Sequence, residues 1–397
     1  MAVVGDAGRL AAPKTSFVND PVVRGVLYQA LLIGIVAFLF YWLGTNVVRN
    51  LAAQGKTLGF DFLKNTAGFD VSFTLIPFSR ASTYLDVFFA GLLNTLLVSV
   101  ISIILATILG FILGIARLSK NWLVAKVAGL YVEVTRNIPL LLQLFIWYFS
   151  VLKVMPAVKQ SHSIGDLVFV NQRGVFIPSF GFDQKFLYVV AAVVLAFLVA
   201  YGIRLWARRR LEATGQRFPV FLTSLAVIVV LPALAWVLSG TNVTMDVPRL
   251  SGFNFKGGID LPPELLALIF GLTFYTATFI GEIVRSGIQA VSHGQTEAAF
   301  ALGLRDGDRL RLVIVPQAMR VIIPPLTSEY LSLTKNSSLG AAIAFPELVS
   351  IFQGTALNQA GRALEIIGMT MAVYLTFSLT TSALMNFYNA RVALVER

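Results

Sequence analysis

The sequence contains no cysteine, which excludes structural disulfides, thiolate nucleophiles and cysteine-ligated metals together. Its two histidines, His162 and His293, are too few for a histidine metal cluster, so metal chemistry is not expected of this chain. Charge is scarce as well, at 13% of residues. A phosphate loop is missing. Gly55-Lys56-Thr57 reads like the last three residues of one, but the motif's first glycine would fall at Asn50, and no strand-then-helix pattern surrounds it. The residues up to Arg24 are polar and mixed in charge, unlike the basic start and small-residue cleavage site of a signal peptide, so the N-terminus is expected to be retained. Neither an internal repeat nor a low-complexity linker is visible.

What the chain has in excess is apolar surface. With 57% hydrophobic residues, 31 Phe and a mean hydropathy of +0.78 over 397 residues, it exceeds what one soluble core could bury, and lipid must be its main solvent. A spanning helix needs roughly 20 apolar residues. Val26 to Val48, Val87 to Ala116, Phe186 to Ile203, Phe218 to Val243 and Ile366 to Ala390 meet that need without a charged side chain. Further spans are expected to end near Leu152, to run from about Leu265 to Arg285, and to run from about Arg311 to Thr334. The last carries Arg320, Glu329, Pro316, Pro324 and Pro325. Its prolines free backbone groups that only protein or water can satisfy, so it should face the bundle interior. The fold class expected is an all-α integral membrane protein with about eight transmembrane helices.

Arginine and lysine density orients these spans. The segment Arg204 to Arg217, the Arg117 to Lys126 turn and the flanks of a polar island (Arg285, Arg305, Arg309, Arg311) belong on the cytoplasmic side. The loops Arg49 to Asp86, Lys153 to Lys185 and Ser239 to Glu264 mix both signs and belong outside, which leaves both termini cytoplasmic. The net charge of +11 is then a topology signal and not a nucleic-acid-binding one.

The island runs from Ser292 to Gly303, between two hydrophobic segments. Ser292 followed by Gln295 is a capping-box pattern, and Gly303 suits a left-handed helix end. A helix of roughly 12 Å is expected between them, with Asp306 or Asp308 capping the next one. Spacing alone also allows an ordinary helix-turn-helix connection. Glu297-Ala298-Ala299, Gly303 and Val313-x-Val315-Pro316, however, resemble the Glu-Ala-Ala, Gly, Ile-x-Leu-Pro signature (EAA loop, here 292–316) of ABC importer permeases. Thr278 to Ile288, Leu302-Gly303-Leu304, Pro316 to Arg320, Arg136 to Phe145 and Gly91 to Leu96 resemble the polar amino acid branch of that family.

The resemblance covers a little over half of the chain and implies an organisation. Residues 86–154 and 262–397 are similar to the two parts of a type I permease core. Residues 1–24 form a cytoplasmic segment, 25–85 an added first helix and outer loop, and 155–261 an inserted loop with a two-helix hairpin. This layout is similar to the long permeases of general L-amino acid uptake systems in Gram-negative bacteria. Such a permease implies an inner-membrane location and a separate ABC ATPase dimer that holds ATP and Mg. It also implies a second, related permease, a periplasmic binding protein and an L-amino acid substrate, with no cofactor and no bond chemistry in this chain. It further implies that Gln295, Glu297, Ala298, Ala299, Leu302 and Gly303 couple to the ATPase and that Pro316 closes the motif.

Polar groups at membrane depth are the candidates for a substrate pathway, because charge there is costly. The uncharged run Ile138 to Leu152 is too short to span, so its element must include Thr135 and Arg136 and can reach Glu133. Pro139 breaks it just after Asn137, and a broken helix offers freed backbone groups to a zwitterion. The alternative is that Glu133 and Arg136 pair with each other. Gln143 is a further candidate on this element. Glu282 and Arg285 either anchor a helix end or take part in gating. Lys335, Asn336, Ser337 and Ser338 begin a stretch ending near Phe352 that is too short to span and should be re-entrant, where they either receive substrate or cap the segment. An ion-coupled secondary amino acid transporter is the alternative class, but paired intramembrane carboxylates and inverted repeats are not visible.

Overall fold

The computed structural model describes residues 21–53, 55 and 58–392. The N-terminal 1–20, together with Lys56 and Thr57 of the Gly-Lys-Thr run, lie outside the described residues. Seven helices among the described residues are long and apolar enough to cross a membrane, running Val23–Ala53, Tyr84–Arg117, Phe186–Thr214, Val220–Ser239, Pro263–Gln289, Asp306–Ile343 and Ala363–Tyr388.

The expected element ending near Leu152 is two helices divided at Pro139, the break expected there. Helix α1 (Pro21–Ala53) is followed by α2 (Tyr84–Arg117), then α3 (Trp122–Asn137) and α4 (Leu140–Phe145), which widens into a looser helical turn over Ile146–Leu152. Proline lacks the N–H that would continue α3, and both Ile138 (ψ 126°) and Pro139 (ψ 137°) are extended. α3 starts on Asn121, whose Oδ1 accepts from Leu123 N at 3.0 Å.

The core is built on α2 and α7 (Pro263–Gln289). Every fourth residue of α2 on one face (Ala90, Asn94, Val98, Ser102, Ala106, Gly110, Gly114) is buried, and most of them are small. This stripe lets two backbones meet, which is how helices associate where lipid removes the hydrophobic driving force. A Cβ at Gly110 would lie 2.5 Å from Ile280, and one at Gly114 would lie 2.7 Å from the carbonyl oxygen of Gly281. α2 itself begins in a reciprocal cap, with Thr83 N donating to Asp86 Oδ2 at 2.8 Å and Asp86 N donating to Thr83 Oγ1 at 3.3 Å.

α5 (Phe186–Thr214) and α6 (Val220–Ser239) pack as a hairpin against each other. α8 (His293–Ala301) and the short α9 (Asp306–Arg309) connect α7 to α10 (Val315–Asn336) through a wide turn at Leu310–Ile314. Asp306 is the first residue of α9 and pairs with Arg309 at 3.1 Å, so the expected aspartate cap is replaced by an ion pair within the first turn. α10 carries Pro324 and Pro325 in its interior and buries Ile322, Ile323, Leu326 and Leu333 against its neighbours.

After α10 the chain turns through Ser337–Ile343, reverses at Ala344 (φ 59°) and re-enters as Val349–Ala356 and α11 (Leu357–Ala360), before α12 (Ala363–Val392). The Gly91 to Leu96 motif clamps this excursion. Asn94 Nδ2 donates to Phe73 O and Pro346 O, each at 2.8 Å, and Leu348 N donates to Thr95 Oγ1 at 3.1 Å. Glu347 is buried and its carboxylate caps the re-entrant helix, accepting from Val349 N at 2.8 Å and Ser350 N at 2.7 Å.

The loops flanking α5 and α6 hold short strands that hydropathy did not reveal. β1 (His162–Ile164), β2 (Val168–Asn171) and β3 (Gly174–Ile177) form an antiparallel sheet closed by β8 (Ile259–Leu261). β4 (Ser179–Phe182) pairs with β5 (Val243–Asp246), and β6 (Arg249–Ser251) pairs with β7 (Asn254–Lys256). Runs of three or four residues are too short for an alternation to register. Phe169, Phe176 and Phe255 make the small core of this cap. Asp260, on β8, is pushed above the ordinary carboxylate range by burial and by the Glu264 carboxylate beside it.

Candidate functional site

The loop between α7 and α10 is exposed and carries α8. Ser292 precedes α8, but its hydroxyl makes no cap bond, and the turn is closed by Gln295 N donating to Ser292 O at 3.0 Å. The Gln295 side chain accepts instead from Gln317 Nε2 at 3.1 Å, which ties α8 to α10. The helix ends in a Schellman arrangement. Gly303 has φ +71°, its N–H bonds to Phe300 O at 2.8 Å, and Leu304 N–H bonds to Ala299 O at 3.1 Å. Arg309 lies over the Phe300 ring at 4.3 Å and holds the following turn against α8. Ala299 is buried beneath the helix, whereas Glu297, Ala298, Phe300 and Leu302 face away, with Leu302 79% exposed. His293 Nδ1 lies 3.0 Å from Glu297 Oε1. A short, doubly anchored helix with an apolar and acidic outer face joins the ends of two core helices.

The predicted pathway residues divide into groups. Glu133, Arg136 and Asn137 line a cavity of about 570 Å³ between α3, α2 and α7, shared with Arg117, Lys126 and Glu282. That volume lies within the range of small-molecule sites. Glu133 and Arg136 do not form an ion pair among the described residues; Arg136 instead lies over the Phe279 ring at 4.7 Å. Asn137 Nδ2 donates to Glu133 O at 2.8 Å. Glu282 is the hub of the α7 end that leads into α8. Arg285 Nε and Nη2 reach its Oε1 at 3.1 and 2.5 Å, and Arg117 Nη1 bonds its Oε2, so one carboxylate ties α7 to α2.

A second cavity, of about 320 Å³, holds Lys335 and Asn336 together with Glu329, Ser332 and Tyr275. Phe279 lines both cavities and is their common wall. Ser337 and Ser338 are turned elsewhere, donating to Thr334 O at 2.7 Å and Lys335 O at 2.8 Å and so capping the turn. Ser338 and Lys335 also border a separate groove against α12.

Gln143 is buried, and its amide serves the break in the helix. Nε2 donates to Thr135 O at 2.8 Å and to Ile138 O at 2.9 Å, the carbonyls beside Pro139. Residues that sequence reasoning did not single out as site residues complete the cavities. Arg117 ends a charge-free run, Glu329 interrupts a hydrophobic one, and Phe279 lies in the family-like Thr278 to Ile288 run without a feature that marks it as a cavity wall.

These features define a polytopic membrane protein with polar internal cavities and an exposed helix joining two of its core helices. Residues 192–394 match the family model described as binding-protein-dependent transport system inner membrane component. The chain is 49% identical to AapQ of Rhizobium johnstonii, a general L-amino acid transport system permease protein, over 96% of this chain and 95% of that one. It is 42% identical to BztB of Rhodobacter capsulatus, a glutamate/glutamine/aspartate/asparagine transport system permease protein, over 97% and 98%. A crystal structure of an amino acid ABC transporter with histidines covers 78% of this chain and 95% of its own at 20% identity, with a TM-score of 0.46. The chain belongs to the family of binding-protein-dependent transport system inner membrane components.

Replacing Gln143 by Leu leaves the part-buried Ile138 carbonyl without its side-chain donor, whereas Thr135 O keeps the bond from Ile138 N at 3.3 Å. The expected loss is about 1–3 kcal/mol of stability, read as a lower unfolding midpoint in detergent. Asn137→Ala, at an exposed position, is expected to stay within about 0.5 kcal/mol of wild type.

Proposed function

We infer that this chain is the membrane-spanning permease subunit of an ABC importer for L-amino acids. The observation that carries the reading is α8, an exposed EAA helix pinned at both ends between α7 and α10. A separate ATPase dimer, which holds ATP and Mg, grips the outer face of α8 around Glu297, Ala298 and Leu302. A binding protein on the opposite side delivers the amino acid, and a second, related permease completes the pathway. The names of AapQ and BztB support the amino acid substrate. The arginine-rich turns support a cytoplasmic location for α8 and, if α3 and α4 together make one crossing, for both termini.

Force on α8 moves the inner ends of α7 and α10 together. Both helices line the second cavity, and the carboxylate of Glu282 carries the motion of α7 to α2. The substrate is a zwitterion. Arg136 offers a cation to its carboxylate and Glu329 a carboxylate to its ammonium, on the two sides of Phe279. Passage from one cavity to the other requires Phe279 and Arg136 to part, and it is this separation that ATP-driven closure of the partner subunits works against. No bond is made or broken in this chain.

Tagged protein purified in mild detergent is expected to bring a soluble ATPase with it, and Glu297→Arg or Gly303→Trp is expected to abolish that recovery while the fold survives. An ATPase held equally by the variants would remove α8 as the contact. Arg136→Gln is expected to reduce ATP-driven amino acid uptake in proteoliposomes at least roughly tenfold while leaving ATPase recovery intact, a loss near the 1.4 kcal/mol or more that one charge-assisted contact supplies. Uptake at the wild-type rate would exclude Arg136 from the pathway.

A further inference from the structure

The α5–α6 hairpin has no part in the lever or in either cavity, and its inner end is the most basic stretch of the chain. α5 has 29 residues, a rod of about 43 Å, whereas the hydrocarbon layer is about 30 Å thick. Its uncharged portion ends at Ile203, and the next residue is Arg204. Between Arg204 and Arg217 there are five arginines and one acid, Glu212. At 100° per residue, Arg204, Arg208, Arg209 and Arg210 are spread around the helix and make a collar at the depth where lipid headgroups begin.

Part of this charge is used internally. Arg208 pairs with Glu212 at 3.0 Å, and Arg210 donates to Gln216 at 2.8 Å while lying 5.3 Å over the Trp206 ring. Trp206 in turn meets Phe218 edge to face at 5.1 Å, which seats an aromatic at interface depth and fixes the turn between the two helices. Arg204, Arg209 and Arg217 are exposed and have no protein partner among the described residues. The shafts above the collar are lipid-facing: Leu187, Leu198, Phe221 and Leu222 are all more than half exposed, and α5 and α6 pack chiefly on each other.

We propose that the collar of Arg204, Arg209 and Arg217 binds anionic phospholipid headgroups of the inner leaflet around the end of α5, and that these contacts anchor the inserted hairpin beside the permease core. The ligand follows from charge complementarity and from continuity of the collar with the lipid-facing surface of α5. A phosphodiester with net negative charge can bridge two guanidinium groups, whereas a zwitterionic headgroup brings its own cation. Each arginine near such a surface is worth roughly fivefold in affinity at low salt, so three give a preference of about a hundredfold that weakens with ionic strength. The proposal rests on the topology given under Proposed function, with the arginine end of α5 at the inner leaflet, and is independent of the substrate path.

The test uses the complete transporter reconstituted in equimolar phosphatidylglycerol and phosphatidylethanolamine, with retained lipids counted by native mass spectrometry. The wild type is expected to retain phosphatidylglycerol over phosphatidylethanolamine at least roughly tenfold, and the triple variant Arg204→Gln, Arg209→Gln, Arg217→Gln is expected to lose that preference. Because all three side chains are exposed and unpartnered, the variant is expected to fold, and its unfolding midpoint in detergent checks this. No preference in the wild type, or unchanged phosphatidylglycerol in the folded variant, overturns the proposal. So does a variant that keeps its lipid but releases the ATPase, since the collar is then a protein-binding face.

Discussion

The close contact of α2 with α7 is the constraint on which the rest of the structure hangs. In lipid, apolar side chains gain nothing by leaving solvent for a neighbouring helix, so association rests on fit and on polar ties. α2 supplies the fit through a stripe at four-residue spacing that ends in Gly110 and Gly114, and α7 answers with Gly281. The polar tie is the Arg117–Glu282–Arg285 cluster at the inner end of the same pair. With that post fixed, α3 and α4 lean on one side of α7, α10 leans on another, and the re-entrant turn is stapled to α2 by Asn94 and Thr95.

Irregular backbone occurs where nearby side chains can satisfy it. The break at Pro139 is tolerated because Gln143 returns two hydrogen bonds to it, and the reversal at Ala344 is tolerated because Asn94, Thr95 and Glu347 meet the exposed groups. These are the conditions under which non-helical chain survives at membrane depth. The break also positions Arg136 against Phe279, so one proline shapes both the scaffold and the cavity. At the C-terminal end of α7, α8 is held by one amide pair and a Schellman turn, which leave its outer face exposed.

Much of this was legible because spans, breaks and caps have local causes. Long uncharged runs marked α1, α2, α5, α6 and α12, and Pro139 marked the division between α3 and α4. Gly303 announced the end of α8 because no other residue takes a positive φ so cheaply. What was not legible depends on distant partners. Gln143 looked like a pathway residue, since only the folded chain shows its amide turned back on Thr135 and Ile138. Asn94 and Thr95 belonged to a family-like motif, but their contacts lie some 250 residues away. The strands of the outer cap were missed because their pairing, such as Val175 with Leu261, is long-range while each run is only three or four residues. Glu329 was noticed as a flaw in a hydrophobic span before the cavity it shares with Lys335 gave it a place.

The most direct measurement is amino acid uptake by the reconstituted complex in sealed vesicles, with ATP supplied to the α8 side and the ion gradients set independently. If α8 is the lever, accumulation follows ATP, persists when proton and sodium gradients are collapsed, and stops with Glu297→Arg. Accumulation driven by an ion gradient without ATP, and indifferent to Glu297→Arg, would contradict that view and make the chain a gradient-coupled carrier.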